Sequence, residues 1–324
     1  MRFFATVFVT LTLAFSTMST PILNGIPENE RELVSEALQI LRPSGVFYAG
    51  EKAESGHRCG TPVIHRVSRR WNELSPESRA LLRPYLSRPT GLTSTYDSPD
   101  GYFRLHYTTS GADAADMATV QMYAAYMDSA WIREVTGAGF APPPGDGTAG
   151  GGYDLYDVYI KDIDGSVDGY CETEGDVPST TWNDRKSFIV LKNDLFSDPN
   201  PTATAANTCA HEFHHAVQYG YTFDSDVWWM ENTAVWSEDE YWPQYPSHMV
   251  QLEVYQNNPH LSQTRNDYYH EYGGGIWAIY LRQKSDADFY PQCWEDHKSR
   301  TDDVATLDFT LGGYGSNFED EFTE

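Results

Sequence analysis

CAHEFHHAVQYGY, residues 209–221, places three histidines and a glutamate within five positions. On an α-helix, residues four apart are separated by about 40° around the axis and by about one turn along it. His211 and His215 therefore project from one face and can offer two imidazole nitrogens to one metal ion. Glu212, about 100° from His211, can flank that ion without binding it, which is where a base for a water molecule must lie. This is the physical basis of the H-E-x-x-H metal-site pattern.

The other polar side chains of this stretch fit the site less well. His214 could compete with His211, but only the pair His211 and His215 leaves Glu212 between two ligands. We therefore expect His214 to be exposed or to lie behind the ligands. Cys209, about 200° from His211, is on the far side of the helix and is a better disulfide partner than ligand. The apolar residues between the histidines predict a buried helix, which would also suit hydrogen-bonded core histidines.

A second stretch can complete the site. WWMENTAVWSEDE, residues 228–240, has an amphipathic pattern rich in aromatic residues. Two histidines and a water leave a zinc site one protein ligand short, and Glu231 can supply it. Glu238, two turns later on the same stripe, can accept a hydrogen bond from a ligand histidine. A glutamate in a first helical turn is also favoured by the helix dipole alone, but after H-E-x-x-H we favour the ligand interpretation.

The two stretches together resemble the gluzincins, zinc peptidases with H-E-x-x-H and a downstream glutamate ligand. The segment ENTAVWSE is similar to the E-G-x-A-x-x-x-E helix of one branch of that family. The resemblance implies that His211, His215 and Glu231 hold zinc. It also implies that Glu212 is the general base and that Glu238 lies behind the ligands.

A third motif extends the resemblance to the C-terminal half. EYGGGIWAIYL, residues 271–281, is similar to the Y-x-K-G helix start of the same family, whose tyrosine steadies the oxyanion. This implies a catalytic role for Tyr272, with His270 as a neighbouring alternative donor. Gly274 replaces the lysine of the family, and Tyr272 could equally be a packed aromatic side chain.

The resemblance extends over residues 101–284, where the motifs occur in the same order. FRLHYTT, PPPGD, YDVYI and the histidine helix follow one another as in secreted bacterial metalloproteases. The exopeptidase members of the family have a G-x-M-E-N motif before the metal helix, and none occurs there in this sequence. The resemblance therefore implies an endopeptidase.

Hydrophobic patterns predict an α+β fold. Aromatic and alternating residues predict strands at 101–109 and 153–162, the second half-exposed, and a more buried strand at 186–194. A long amphipathic helix is predicted at 114–136, ended by the glycines of TGAG. From about residue 203 the patterns are mostly helical. With the resemblance, this predicts a zincin-like domain with a small mixed sheet, an active-site helix and a mainly helical C-terminal part.

The N-terminal residues have the layout of a secretory signal peptide. Arg2 precedes an apolar run from Phe3 to Phe15 that is too short for a membrane span, and small residues follow it. We therefore expect residues 1–19 to be removed and the protein to be secreted. No later stretch is apolar enough to cross a bilayer, so no membrane span is predicted.

The distribution of charged residues divides the chain near residue 95. Residues 1–95 carry 11 Lys and Arg against 8 Asp and Glu, whereas residues 96–324 carry 11 against 39. Two helical patterns, ENERELVSEALQIL and SPESRALLRPYL, precede this step, with Ser75 as the expected cap of the second. We expect residues 20–95 to form a helical region, either a propeptide or part of the fold, before a metallopeptidase domain at 96–324. The net charge of −25 argues against nucleic acid or anionic membranes as partners.

Cysteines offer one candidate set of stabilising links. The chain has four, an even number in a protein expected to be exported. Two disulfides are therefore predicted, in any of three pairings. The residues are Cys59, Cys171, Cys209 and Cys293.

An acidic turn is a second candidate for a stabilising link, through a bound metal ion. In DIDGSVDGY, residues 162–170, Asp162, Asp164, Ser166 and Asp168 stand at alternate positions and could gather oxygens around Ca²⁺. The EF-hand glycine is absent, since Val167 occupies its position. An ordinary acidic turn is therefore the alternative to a calcium site.

These observations predict a secreted zinc endopeptidase that hydrolyses a protein or peptide substrate through an activated water and Glu212. An exposed strand edge within residues 153–194 could hold the peptide by strand addition. Three alternatives remain open. They are a catalytically inert exported binding protein that contains zinc, a zinc hydrolase of non-peptide amides or esters, and a surface domain without metal.

Overall fold

A computed structural model of the protein describes residues 23, 25–41, 58–151, 155–163, 167–266 and 270–323. The expected signal peptide, residues 1–19, lies outside these ranges. The strands are β1 Ser94–Asp97, β2 Phe103–Tyr107, β3 Tyr156–Lys161, β4 Gly169–Asp176 and β5 Arg185–Lys192. The helices are α1 Glu28–Leu41, α2 Thr61–Arg69, α3 Pro76–Leu82, α4 Met117–Trp131, α5 Pro201–Tyr221, α6 Val227–Tyr241, α7 Met249–Asn257, α8 His270–Gly273, α9 Gly275–Lys284, α10 Phe289–His297, α11 Asp303–Gly313 and α12 Phe318–Thr323.

The strands form one mixed sheet in the order β1-β2-β3-β5-β4 within the described ranges. The three central strands run parallel, and the outer strands β1 and β4 are antiparallel to their neighbours. Because parallel neighbours need a crossover, β2 is followed by α4 before β3 begins. The fold is therefore α+β, with a small mixed sheet followed by helices, as the sequence predicts.

Helices cover both faces of the sheet. On one face α4 and α5 pack on the strands in a core that includes Phe103 and Phe213. On the other face α1–α3 pack on the strands, where Val34 and Ile64 belong to the same buried cluster as Phe188. The N-terminal helices are thus one layer of the protein core, and we call α1–α3 the N-terminal layer.

Two helices of the N-terminal layer begin close to their predicted positions. Ser75 caps α3, since its hydroxyl accepts from the backbone nitrogen of Ser78 at 3.2 Å, and Pro76 occupies the first turn. The buried carboxylate of Glu30 on α1 accepts from the backbone nitrogen of Ser75 at 3.1 Å and from its hydroxyl at 2.8 Å. These bonds tie α1 to the start of α3.

The structure corrects the prediction in the sheet. β3 is buried along nearly its whole length, so the prediction of a half-exposed strand is wrong. The reason is that the N-terminal layer covers the face that the alternation leaves for solvent. β1, β4 and α2 were not predicted. β1 has only four residues, and β4 contains Gly169, Gly175 and several acidic residues that strands disfavour.

The chain from α5 onward is mainly helical, as predicted, and α6 packs against both α5 and α9. A Cβ atom at Gly275 would lie 2.5 Å from Cγ1 of Val235 on α6, so glycine is needed for this close approach. The sequence departs from the tyrosine motif of the gluzincins at Gly274, where a Cβ atom would lie 2.7 Å from the side-chain nitrogen of Asn232. Among the helices in the described ranges, none combines the length and apolar character needed to cross a membrane.

The cysteines do not form the two predicted disulfides. Cys59, Cys171, Cys209 and Cys293 are all free and buried, so the disulfide prediction is wrong for this structure. Three of them pack in the main core as small apolar side chains. Cys59 lies apart from these three, in a separate buried group that includes Tyr272.

His65 on α2 makes the N-terminal layer sensitive to acid. Its Nε2 lies 3.0 Å from the carbonyl oxygen of Ser225, and its Nδ1 lies 3.3 Å from the hydroxyl of Tyr219. Because the carbonyl can only accept, Nε2 carries a hydrogen. Burial, together with the positive charges of Arg69 and Arg66, lowers the pKa of His65 to about 3.

Acid should therefore weaken the fold through His65. An unfolded histidine binds a proton below a pH of about 6.5, whereas folded His65 stays neutral down to a pH of about 3. The unfolded state binds more protons between these values, so stability falls as pH falls. From pH 7 to pH 5 this residue alone should lower the free energy of unfolding by about 2 kcal/mol. Urea unfolding of wild type and His65→Gln at both pH values checks this, and an equal loss in the two proteins would contradict it.

Candidate metal centre

Four buried side chains meet between α5, α6 and the N-terminal layer. His211 and His215 extend from α5, Glu231 extends from α6, and Cys59 lies just before α2. Each offers one ligand atom, and these atoms lie within 4.8 Å of one another. The structure thus brings the three predicted ligands together and adds Cys59 to them. We call these four residues the ligand cluster.

The helix α5 presents its two histidines as the four-residue spacing predicts. Its start is capped by Asn200, whose side-chain oxygen accepts from the backbone nitrogen of Ala203 at 3.2 Å, and Pro201 fills the first turn. The rings of His211 and His215 have centroids 4.7 Å apart and planes at 83°. Both rings are almost fully buried, so their polar atoms need partners inside the protein.

The facing atoms of the ligands lack such partners among the described residues. Nε2 of His211, Nε2 of His215 and both carboxylate oxygens of Glu231 are buried without a well-oriented hydrogen bond. Each Nε2 lies 3.1 Å from a different oxygen of Glu231. Atoms that share one tetrahedral zinc ion at about 2.1 Å lie about 3.4 Å apart. The distances and the unpaired atoms therefore fit a zinc ion.

The outer nitrogen of each ligand histidine is held by another side chain. Nδ1 of His211 lies 2.7 Å from Oε1 of Glu238, which also pairs with Arg58. Nδ1 of His215 lies 2.8 Å from Oε1 of Gln218. Because oxygen is the acceptor in both pairs, each Nδ1 donates, and Nε2 is the nitrogen that can carry either a second proton or a metal. Glu238 lies where the sequence predicts, whereas Gln218 was missed although it follows His215 by one helical turn.

The charges of the cluster suit a cation. Burial alone would lower the pKa of His211, but the carboxylates of Glu231 and Glu238 raise it to about 10. Burial would raise the pKa of Glu231, but His215 and His211 hold it at about 2. Burial acts in the same way on Glu238, whose pKa is held at about 2 by Arg58 and His211. Both carboxylates are therefore ionised at neutral pH.

Glu212 lies beside the ligands and is almost completely buried, as helix geometry predicts for a base. Burial raises its pKa, although positive charge on His211 and His215 would lower it. Its Oε2 accepts from the hydroxyl of Thr61 at 3.0 Å. A carboxyl group beside a metal can both take up and return a proton.

Tyr272 lies at the edge of the ligand cluster. Its ring centroid is 6.3 Å from that of His211. Its hydroxyl donates to the backbone carbonyl oxygen of Cys59 at 3.3 Å. The hydroxyl therefore points at a peptide carbonyl close to the candidate metal position, and its role as an oxyanion donor stays a prediction.

α8 is anchored to α6 next to the ligand glutamate. The side chain of Asn232 donates to the backbone carbonyl oxygen of Glu271 at 2.7 Å. This bond fixes the position of Tyr272 relative to α6. His270, the alternative donor, is also buried, and its ring centroid is 4.9 Å from that of Tyr255.

Cys59 is the member of the cluster that the sequence did not predict. Burial raises the pKa of its thiol well above the usual value, and Glu212 and Glu231 add to this effect. The backbone nitrogen of Thr61 donates to its sulfur at 3.3 Å. No local spacing links Cys59 to His211, so a pattern of neighbouring residues could not reveal the contact.

The far side of α5 makes contacts away from the cluster. Cys209 lies there as predicted, with its thiol 3.9 Å from the carbonyl oxygen of Tyr123. His214 is fully buried, so the alternative of an exposed side chain is wrong. Its Nδ1 lies 2.7 Å from Oε1 of Glu134. Burial raises the pKa of Glu134 and lowers that of His214, so burial favours the neutral form of both side chains.

A neutral pair predicts different effects for two substitutions of Glu134. Glu134→Gln keeps one hydrogen bond to His214 without changing the charge, so stability should stay within about 1 kcal/mol of wild type. Glu134→Ala leaves a buried imidazole nitrogen unpaired and should lower the free energy of unfolding by about 1–3 kcal/mol. Urea unfolding at pH 7 measures both. Equal losses in the two variants would show that the pair is charged.

The predicted calcium turn is described only in part, because Asp164 lies outside the described residues. The carboxylate of Asp168 lies 2.8 Å from Nζ of Lys192, which also lies 2.9 Å from Asp198. The backbone nitrogen of Asp162 donates to the carboxylate of Asp113 at 3.0 Å. Lys192 thus gives Asp168 a cationic partner, and calcium binding stays a prediction.

The candidate centre combines four side chains that could hold a metal ion, a buried carboxyl group beside them and a phenol at their edge. Such a set can bind a divalent cation, move a proton and donate a hydrogen bond to a carbonyl oxygen. Comparison of the chain with protein-family models, with curated proteins and with solved structures finds no match.

Proposed function

We propose that the protein is a secreted zinc endopeptidase of the gluzincin type with a zincin-like fold. The observation that carries this proposal is the set of buried, unpaired ligand atoms on His211, His215 and Glu231. Nε2 of the core histidine His214 is also buried without a hydrogen bond, but the atoms of this cluster converge, since they lie within 4.8 Å of one another. The position of Glu212 next to two ligands supports a hydrolytic role for the centre.

The residues of the chain would divide the chemistry among them. When bound, zinc would supply Lewis acidity to water and to a carbonyl oxygen. Glu212 would accept a proton from the attacking water and return it to the leaving amine. Tyr272 would donate to the oxygen of the carbonyl under attack. Glu238 and Gln218 keep the two imidazoles oriented.

The arrangement of elements supports the fold and substrate proposals. The ligands come from two consecutive helices, α5 and α6, and α5 contacts both β4 and β5. β4 is an edge strand of the sheet and contains Cys171, whose backbone nitrogen bonds to Thr61 beside Glu212. An extended peptide added to that edge would bring its backbone to the centre, and this mode of binding accepts internal segments of a chain.

One observation favours a second candidate function. With Cys59, the cluster has four side chains, and zinc sites that are closed by four protein ligands are structural. The protein would then be an exported binding protein in which zinc joins the N-terminal layer to α5 and α6. This candidate predicts bound zinc without hydrolysis.

Metal content and hydrolysis measured on the full chain test the proposal. Zinc is quantified by mass spectrometry, and cleavage of a quenched fluorescent protein substrate is followed with and without a chelator. Cys59→Ala is assayed beside wild type because the thiol could close the centre. We expect one zinc per chain and cleavage that the chelator stops and added zinc restores, in one or both proteins. Folded protein without zinc would overturn the proposal, and zinc without cleavage in both would favour the structural centre.

A further inference from the structure

Residues 58–61 pass directly over the ligand cluster. The segment follows the undescribed residues 42–57 and leads into α2. It contributes Cys59 to the cluster and places Thr61 on Glu212. Its backbone contacts β4 on one side and Tyr272 on the other. We call residues 58–61 the occluding segment.

We propose that Cys59 is a fourth zinc ligand and that the occluding segment lies in the substrate cleft, so that the described form of the protein is latent. This inference rests on the proposed function and adds to it a regulatory state and a path for the substrate backbone. Four observations support it, and they concern the strand edge, the catalytic groups, the ligand-holding glutamate and the thiol.

The occluding segment adds to the sheet as a peptide substrate would. The backbone nitrogen of Gly60 donates to the carbonyl oxygen of Gly169 at 2.9 Å. The backbone nitrogen of Asp168 donates to the carbonyl oxygen of Arg58 at 2.8 Å. Cys59 and Gly169 form a parallel bridge. Backbone pairing of this kind depends little on side chains and is the basis of recognition by strand addition.

Both catalytic groups are engaged by the same segment. Tyr272 donates to the carbonyl oxygen of Cys59 at 3.3 Å, where it would meet the carbonyl of a bound substrate. The hydroxyl of Thr61 donates to Glu212 at 3.0 Å and accepts from the backbone nitrogen of Cys171 at 2.8 Å. Thr61 thus occupies a hydrogen-bonding position on Glu212 that a water molecule would otherwise fill.

Arg58 fixes the segment to the residues behind the ligands. Its guanidinium pairs with Glu238, which holds His211. Glu238 is fully buried, and Arg58 is a cation that pairs with the same carboxylate oxygen, Oε1, that His211 contacts. The segment therefore binds to the ligand support as well as to the catalytic groups.

The occluding segment packs closely against its neighbours, and the sulfur of Cys59 faces the other residues of the ligand cluster. A Cβ atom at Gly60 would lie 2.6 Å from Ile40 on α1 and 3.1 Å from Tyr170 on β4, so a residue without a side chain is needed there. The next backbone nitrogen, that of Thr61, donates to the sulfur of Cys59. A thiolate ligand fills the open position that a catalytic zinc site keeps for water. With the occluding segment in place, the sulfur of Cys59 would occupy the zinc position that the attacking water needs.

The binding of zinc by Cys59 is tested on the full chain, because the N-terminal layer covers one face of the sheet. Zinc-loaded wild type is measured by X-ray absorption at the zinc edge, with Cys59→Ala and Cys293→Ala beside it. We expect one sulfur neighbour at about 2.3 Å in wild type and in Cys293→Ala, and only nitrogen and oxygen neighbours in Cys59→Ala. Bound zinc without a sulfur neighbour in wild type would overturn the inference, even if Cys59→Ala failed to fold.

Latency is tested by hydrolysis in the same proteins. Cys59→Ala should retain one zinc and cleave the protein substrate faster than wild type by tenfold or more, since a competent state that is rarely populated limits wild type. Cys293→Ala should match wild type. Equal cleavage by wild type and Cys59→Ala would overturn latency and leave the peptidase proposal standing. A sulfur neighbour with no cleavage in any protein would overturn latency and the peptidase together, and would leave a closed structural centre.

Discussion

Glu212→Gln should lower the rate of peptide hydrolysis by on the order of 10²–10⁴ while leaving one zinc bound, because an amide cannot accept the proton of the attacking water. Glu212 is almost completely buried, and its bond from Thr61 can be kept by the amide oxygen of glutamine. The fold and the ligands should therefore be unchanged. Hydrolysis and zinc content are measured in the wild-type and Cys59→Ala backgrounds.

Glu172 offers a matched control for this prediction. It is another buried glutamate, on β4, and burial raises its pKa well above the usual value. Glu172→Gln should therefore leave hydrolysis nearly unchanged. Hydrolysis that survives in Glu212→Gln, or that falls equally in both variants, would remove Glu212 from the role of base.

Glu231→Gln should produce the largest loss of metal. It replaces the carboxylate that lies 3.1 Å from both ligand nitrogens by a group that binds zinc weakly and carries no charge. Glu238→Gln is compared with it and should lose less metal affinity, because Glu238 touches His211 only at Nδ1. A partner of that kind is worth about 10–100-fold in metal affinity, and the loss in Glu231→Gln should exceed it.

Competition with a chromophoric chelator measures both affinities, and mass spectrometry counts the metal in each protein. Circular dichroism shows whether each variant is folded. Equal zinc affinity in Glu231→Gln and wild type would remove Glu231 from the ligand set. A larger loss in Glu238→Gln than in Glu231→Gln would exchange the roles of the two glutamates.

The parts of the site that could be predicted are those in which the relevant residues share a helix. His211, Glu212 and His215 are related by helical geometry alone, and Glu231 and Glu238 follow from the same period on the next helix. Gln218 could have been found by that reasoning, because it lies one turn from His215. The structure places the side chains of these residues about one centre.

The remaining features depend on contacts between distant parts of the chain. Cys59 and Thr61 reach the centre only because α2 packs against the sheet, so the cysteine was assigned to a disulfide that the structure lacks. The exposure of β3 was mispredicted for the same reason, since its second face is covered by α1–α3. Alternation within a strand reports which residues share a face, but it does not report what covers that face.

The place of the occluding segment in the chain has a consequence for biosynthesis. Ribosomes deliver a protein from its N-terminus, so Cys59 is made well before His211, His215 and Glu231. By the time the last of these ligands emerges, the thiol is already present to meet them, and Tyr272 is still to be added. In the proposed enzyme, no stage of synthesis would then expose a metal centre without its inhibitor, and the producing cell would be protected from the first copy onward.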